Sequence, residues 1–186
     1  MRQCAFFLML VLLASCSEKV EPMGQGGMAT KIVNTTDTVV PDNPSAFPIR
    51  TAGKSPDSLV QYAHTLIGKP YVYACAKPET GFDCSGFVWH VFQHFGIDVP
   101  RSSVEFTNVG KEVPLADAKP ADLILFTGTN PSVREVGHMG IVVYKAPDSL
   151  SFIHASSGDA MSVTISSLDE HYTKRFMKIT RVFAMK

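Results

Sequence analysis

Phe82-Asp83-Cys84-Ser85-Gly86-Phe87 marks the point where a glycine-broken loop gives way to a helical pattern, and this junction organises the rest of the chain. Asp83 can serve as N-cap, and Phe87, Val88, Val91, Phe92 and Phe95 recur at helical spacing until Gly96 supplies a stop. Cys84 therefore falls in the first turn, on the apolar stripe. Unpaired N–H groups and the positive end of the helix dipole favour a thiolate there, and the thiolate is the form of cysteine that attacks carbonyls. Cys84 is accordingly a candidate nucleophile.

A nucleophilic thiol needs a base. Gly137-His138-Met139-Gly140-Ile141 opens an apolar run that ends at Tyr144, and a second run, Leu150 to Ser156, contains His154. Lys145-Ala146-Pro147-Asp148-Ser149 between them reads as a turn, so the runs pair as an antiparallel hairpin. Centred on Pro147, that hairpin sets His138 opposite Ser156 and makes His154 its diagonal neighbour on the same face. His138 is then the candidate base, and His154 the residue that holds its ring in the right tautomer.

Several motifs in a fixed order now resemble the NlpC-type cell-wall peptidases, small papain-like cysteine hydrolases of bacteria. They are Gly68-Lys69-Pro70-Tyr71, the cysteine stretch, Gly96-Ile97 with Pro100-Arg101-Ser102-Ser103, Ala121-Asp122-Leu123-Ile124-Leu125-Phe126, His138-Met139-Gly140-Ile141 and Phe152-Ile153-His154-Ala155-Ser156. The resemblance covers about residues 57 to 186. It implies Cys84 as nucleophile, His138 as base, His154 as third residue and Tyr71 as an active-site hydroxyl near the oxyanion. Asp83 and Ser85 match positions that in some members hold the amino group of the substrate peptide. Three departures stand out: Ala74 and Cys75 replace two glycines with the stretch up to Cys84 one residue longer, Phe106 replaces a glutamine, and Ala121 replaces a glycine. None touches the three implied catalytic residues.

The N-terminus speaks to location. Arg2 precedes the run Phe6 to Leu13, too short to span a bilayer but suited to a secretory signal, and Leu13-Ala14-Ser15-Cys16 resembles a bacterial lipobox. Residues 1–16 are thus expected to be a lipoprotein signal with Cys16 lipidated, a plain signal peptide being the other reading. Ser17 does not look like an inner-membrane retention signal, which points to an outer-membrane anchor facing the periplasm. Residues 17–55 are rich in Gly, Thr, Pro, Asn and charge without periodicity, and read as a tether with an end-to-end distance of roughly 35 Å. The alternative for this stretch is that Lys31 to Val33 or Phe47 to Arg50 adds a strand to the catalytic domain.

Residues 56–186 suit one compact domain, expected to act as a monomer. Seventeen basic and seventeen acidic residues balance, which removes any electrostatic case for nucleic acid or for strong adsorption to anionic lipid. There is no internal repeat and no second wall-binding module. The element pattern is α+β: a helix from Ser55-Pro56-Asp57 with Leu59, Val60, Ala63, Leu66 and Ile67 as its apolar face, the cysteine helix, and a short helix within Arg101 to Thr107. Strands are expected at Leu123 to Phe126, Met139 to Tyr144, Ser151 to His154, Met161 to Ile165 and Met177 to Phe183. Helices first and an antiparallel sheet later is the order of a papain-like core, with Cys84 facing the histidines across the seam.

Cys75 and Cys84 remain once Cys4 leaves with the signal and Cys16 takes lipid, and a bridge between them competes with free thiols. His90 and His94 are spaced to share a metal, but Val91 stands where a metallopeptidase helix carries its glutamate, so rim histidines are the better reading. No metal or cofactor is expected. The resemblance implies cleavage of an amide bond in peptidoglycan peptides, either D-glutamate to diaminopimelate or the D-alanine to diaminopimelate cross-link. Recycling of soluble stem peptides and a non-catalytic wall-binding role are the alternatives.

Overall fold

The structure, a computed structural model, describes residues 38–39, 49–51 and 53–183. The signal, Cys4, Cys16 and most of the tether lie outside the described residues. Strand β1 (Thr38–Val39) pairs antiparallel with β2 (Ile49–Arg50), and Ile49 is fully buried in the main core.

Helix α1 (Pro56–His64) is capped by Ser55, whose Oγ accepts from the Ser58 N–H at 3.4 Å, with Pro56 supplying the fixed φ of the first turn. The apolar pattern runs on to Ile67, but the helix stops at His64. The Thr65 hydroxyl donates to Tyr62 O at 2.7 Å, and the N–H groups of Leu66 and Ile67 bond only three residues back, to Ala63 O and His64 O. These tighter turns swing Ile67 into solvent, 48% exposed, while Leu59, Ala63 and Leu66 stay buried.

The short hairpin β3 (Ala76–Lys77) and β4 (Gly81–Phe82) has too few residues to show a period in the sequence, and it feeds straight into α2 (Cys84–His94). Asp83 caps α2 as expected, its carboxylate accepting from the Gly86 N–H, and Phe87, Val88, Val91 and Phe92 are buried. A 3-10 turn follows at Ser103–Asn108.

The remaining elements are β5 (Lys111–Val113), β6 (Leu123–Thr127), β7 (Val136–Ala146), β8 (Ser149–Ala155), β9 (Val163–Ser167), α3 (Glu170–Arg175) and β10 (Phe176–Arg181). Six strands form one antiparallel sheet in the order β5-β10-β6-β7-β8-β9. The α+β class and the packing of helices on an antiparallel sheet are as expected. Strand β9 starts at Val163, not Met161, because Met161 closes a turn onto Gly158 O with φ 41° and is 53% exposed. One sheet face, with Leu123, Leu125, Met139, Ile141 and Ile153, joins the core that contains α1 and α2; the other, with Ile124, Phe126, Val142 and Phe152, packs against Tyr172 and Phe176.

Two details set the geometry of the histidines. The β7–β8 turn is tighter than expected: Ala146 pairs with Ser149, leaving only Pro147-Asp148 between them. Continued down the strands, that register would put His154 opposite Ile141, on the wrong face. A bulge at Val143 shifts the pairing by one residue, so that Val142 meets Phe152 and Ile141 meets Ile153. The bulge restores His154 to the face of His138, so the expected relation of the two holds although the turn does not. Gly140, opposite His154 in this register, leaves that face open: a side chain there would run into His154 Cβ, at 3.2 Å.

At the other end of the sheet, Arg181 and Asp122 form a partly buried bidentate pair, with Nε to Oδ1 at 2.9 Å and Nη2 to Oδ2 at 2.7 Å. Arg181 also donates to Asp117 O, and the Lys119 N–H donates to Asp122 Oδ2. The Ala121-Asp122 motif thus ties β10 to the entry of β6.

Candidate active site

Cys84 is the first residue of α2, buried at the floor of a cleft of about 480 Å³ whose wall includes Tyr71, Tyr73, Ala74, Asp83, Ser85, Arg101 and Gly137. Its thiol points at β7 and donates toward Gly137 O at 3.9 Å, with the Met139 N–H also in range of the sulfur. Cys84 therefore meets the backbone on either side of His138, and no direct Cys84–His138 hydrogen bond forms. This modifies the expected arrangement, in which the thiol faces both imidazoles across the helix–sheet seam. Both cysteines are free thiols, so the Cys75–Cys84 bridge is absent.

The imidazoles lie on the sheet face of Phe126 and Phe152. His138 Nε2 and His154 Nδ1 are 2.9 Å apart in a buried contact, with the rings nearly perpendicular. His154 Nε2 in turn lies 2.9 Å from Ser166 Oγ and 3.3 Å from the Tyr172 hydroxyl. His138 Nδ1 has no hydrogen-bond partner among the described residues, so it is the nitrogen left for a proton arriving from outside the pair.

Burial holds both rings neutral. His138 is pushed well below the usual imidazole range by desolvation, with added repulsion from His154, Arg175 and His171. His154 is lowered to about 4 by desolvation and by Arg175. The thiol moves the opposite way to the expectation from its helix start: burial, and then the Asp83 carboxylate, raise Cys84 to about 11, outweighing the N–H groups of Cys84, Ser85 and Met139. The helix terminus is occupied by its own capping carboxylate, which cancels the dipole's help. The resting site is a neutral thiol beside a neutral imidazole pair.

Asp83 is held on every side. Arg101 donates to both its oxygens, Nη1 to Oδ1 at 3.0 Å and Nη2 to Oδ2 at 2.8 Å, and Ser85 Oγ donates to Oδ1 at 3.2 Å while accepting from Arg101 Nη1 at 3.1 Å. A side chain at position 86 would collide with this network and with Cys75 O, which is why glycine follows Ser85. Tyr71 is half-buried, its phenol bonded to Ser157 and raised above its usual range by burial and by the neighbouring Cys84 and Asp83, so it stays a neutral donor. Ala74 at the cleft wall has φ 58°, the left-handed conformation that a glycine would take freely.

The structure thus gathers Cys84, Tyr71, Asp83 and Ser85 around one cleft and joins His138 to His154. His90 and His94 bracket Tyr62, one bonded to its hydroxyl at 3.0 Å and the other stacked on its ring at 3.6 Å. Among the described residues no three His, Cys, Asp or Glu side chains converge on a metal-sized site. The sequence reading gave no role to Arg101, Ser166 or Tyr172. Arg101 stood inside a quoted motif, whereas Tyr172 sits on a six-residue helix without a period to betray it.

Residues 68–182 match the NlpC/P60 family. The chain is 40% identical over 126 residues to the gamma-DL-glutamyl hydrolase of Bacillus subtilis, an alignment covering 67% of this chain and 29% of that protein. It is 37% identical over 127 residues to a probable endopeptidase of Haemophilus influenzae, covering 67% of this chain and 73% of the relative. The crystal structure of an NlpC/P60 family protein from Bacillus cereus superposes with a TM-score of 0.63 at 25% identity, over 73% of this chain and 42% of that one. The chain therefore spans under a third of the first relative and nearly three quarters of the second. Since the matched stretch holds the cleft cysteine and both coupled histidines, and the sheet that carries them is shared, the chain belongs to the NlpC/P60 family.

Proposed function

We propose that this protein is a cysteine endopeptidase that hydrolyses amide bonds in the peptide part of peptidoglycan, at D-glutamate to diaminopimelate or at the diaminopimelate to D-alanine cross-link. The observation that carries the reading is the thiol of Cys84 at a helix start, lying against the strand whose His138 is bonded to His154. The names of its relatives, a gamma-DL-glutamyl hydrolase and a probable endopeptidase, agree with it.

In this mechanism Cys84 attacks the carbonyl carbon as its proton passes to His138 Nδ1, the nitrogen without a partner. His138 Nε2–H donates to His154 Nδ1 throughout, which keeps the ring in the tautomer that can accept. The Cys84 N–H and the Tyr71 phenol stabilise the oxyanion, the leaving amine takes the proton from His138, and water then cleaves the thioester. The thiol and imidazole start neutral, so substrate must bring them together; hydrogen bonds of this kind commonly tighten only in the complex. Both oxygens of Asp83 are already committed to Arg101, Ser85 and Gly86, which favours action on the polymer over capture of a free peptide amino group by this carboxylate. Cys16 would anchor the enzyme by lipid in the outer membrane, with the residues that follow as its tether; among the described residues no helix is long and apolar enough to cross a membrane.

Digestion of diaminopimelate-containing peptidoglycan, followed by mass spectrometry of the products, tests the reading. Cutting a cross-linked dimer at the cross-link yields two monomers with intact stems, and cutting after D-glutamate shortens each stem to a dipeptide. Cleavage of free L-alanine peptides with intact sacculi untouched would make the enzyme a recycling peptidase instead.

The electrostatics add two expectations. Because both imidazoles must be neutral to act and both are depressed, kcat/KM should hold as pH falls through 6.5 and decline only toward about 4. An acid limb centred at 6.5 or above would contradict this. Stability follows the same sign: between 6.5 and about 4 the unfolded chain binds protons that the folded pair refuses, so the fold is most stable above 6.5 and loses stability on acidification. Alkylation of Cys84 by iodoacetamide should depend on its base, slowing by about tenfold or more in His138→Ala. An unchanged rate would mean that the thiol ionises without the histidine.

A further inference from the structure

The hydrogen-bond chain from His138 does not stop at His154. The imidazole beyond His138 has a second nitrogen, and two hydroxyls from different elements converge on it: Ser166 from β9 and Tyr172 from α3. Ser166 lies two residues beyond Thr164, the pairing partner of His154, and so shares its face. Tyr172 arrives from the opposite side. Its ring packs edge-on against Phe152 at 4.9 Å and at a tilt against Phe126 at 5.2 Å, and Arg175 fixes its helix by donating to Gly128 O at 2.9 Å and Thr127 O at 3.1 Å.

Proton logic makes this convergence directional. If His138 Nδ1 is to take the thiol proton, its Nε2 must carry hydrogen and His154 Nδ1 must accept it. The proton of neutral His154 then resides on Nε2 and needs an acceptor, because a buried unpaired N–H is costly. With the proton on His154 Nδ1 instead, His138 Nε2 would accept, His138 would be protonated at Nδ1, and the site could not act as a base. A hydroxyl can also donate to an unprotonated Nε2, so Ser166 and Tyr172 do not forbid the other tautomer; what they remove is the cost of burying the Nε2–H of the competent one without an acceptor.

We propose that Tyr172 and Ser166 are positioning residues that accept the His154 Nε2–H and so let the pair settle in the tautomer that keeps His138 Nδ1 free to receive the proton of Cys84. They touch neither the substrate nor the reacting atoms, and they act through the histidine pair. The inference rests on the proposed peptidase reading for its kinetic consequence but not for its spectroscopic one.

The test uses the full chain with Tyr172→Phe, Ser166→Ala and the double variant. Tyr172→Phe keeps the ring packed on Phe126 and Phe152 and removes only the hydroxyl. Nitrogen-15 NMR of labelled histidine should show Nε2 of His154 protonated in the wild type and in each single variant, and a shift toward the Nδ1–H form in the double variant. On peptidoglycan, kcat should fall about two- to tenfold in the single variants and more than tenfold in the double, with KM little changed. Ser166→Thr in the Tyr172→Phe background, which keeps a hydroxyl, should hold kcat near that of Tyr172→Phe alone. A double variant that is folded by near-ultraviolet circular dichroism but keeps the wild-type tautomer and kcat would overturn the proposal, and so would a wild-type His154 protonated at Nδ1. If the wild type cut no peptidoglycan, the peptidase reading would fail while the NMR arm still decided the tautomer.

Discussion

Cys84→Ala should reduce peptidoglycan cleavage by about 10⁴- to 10⁶-fold, and His138→Ala should fall in the same range, because nucleophile and base act as one unit whose losses do not add. The double variant should accordingly be little worse than either single one. His154→Ala is expected to retain more, roughly ten- to a hundredfold above the other two, since it removes an orienting partner and leaves the reacting groups in place. The structure sharpens this ranking: without His154, the partner of His138 Nε2 becomes water in a space bounded by Ser166 and Tyr172, which still offers an acceptor. Initial rates of muropeptide release, measured on proteins shown to be folded, check it. A His138→Ala variant as active as His154→Ala would take the base role away from His138.

Arg181→Met should lower stability by about 3–5 kcal/mol with little change in cleavage at low temperature. Arg181 and Asp122 have side chains only 13% and 4% exposed, so solvent screens the pair little and the carboxylate has almost no water to fall back on. Removing the guanidinium strands the Asp122 carboxylate, whose remaining donor is the Lys119 N–H, and frees the Asp117 carbonyl as well. The Asp83–Arg101 pair invites the opposite expectation, a smaller stability loss, because Arg101 is 39% exposed at the cleft wall. Thermal unfolding of the two variants side by side distinguishes them. An Arg181→Met protein that melts like the wild type would mean that the carboxylate finds another partner or loses its charge.

The parts of this molecule that could be read from the chain are those fixed by local chemistry. Asp83, the Phe87 to Phe95 stripe and Gly96 are a cap, a period and a stop within one helix, and they set Cys84 at its start whatever the rest of the fold does. The two histidines were readable because a hairpin converts sequence spacing into a face, although the turn was drawn too wide and an unforeseen bulge at Val143 brought the pairing back. What escaped lies outside the apolar period, in polar side chains, burial and distant neighbours. Helix α1 stops short of Ile67 because a threonine hydroxyl and two i−3 hydrogen bonds intervene, and the apolar pattern gives no sign of them. The charge state of Cys84 escaped for a related reason. The helix start was credited with stabilising a thiolate, but the carboxylate that caps it, and burial under the cleft, outweigh the dipole. Tyr172 reaches His154 from a short helix after β9, a contact that only the folded chain makes.

The bulge at Val143 also decides which length changes this fold can survive. The proposed base and its orienting partner lie in one hairpin, and with so tight a turn their common face depends on the pairing passing over the spare residue Val143, between Tyr144 and Val142. Extra residues at the Pro147-Asp148 tip lie beyond that point and leave the two imidazoles in step, so the tip is free to drift in length across lineages. A single deletion at Val143 would remove the spare residue and leave the pairings on either side of it, Tyr144 with Ser151 and Val142 with Phe152, as they are, so both imidazoles would keep their common face. Running the tip register straight through with Val143 kept would instead set His154 opposite Ile141, away from His138. Hairpin length alone therefore says little about whether the two imidazoles meet; the register at His154 decides it.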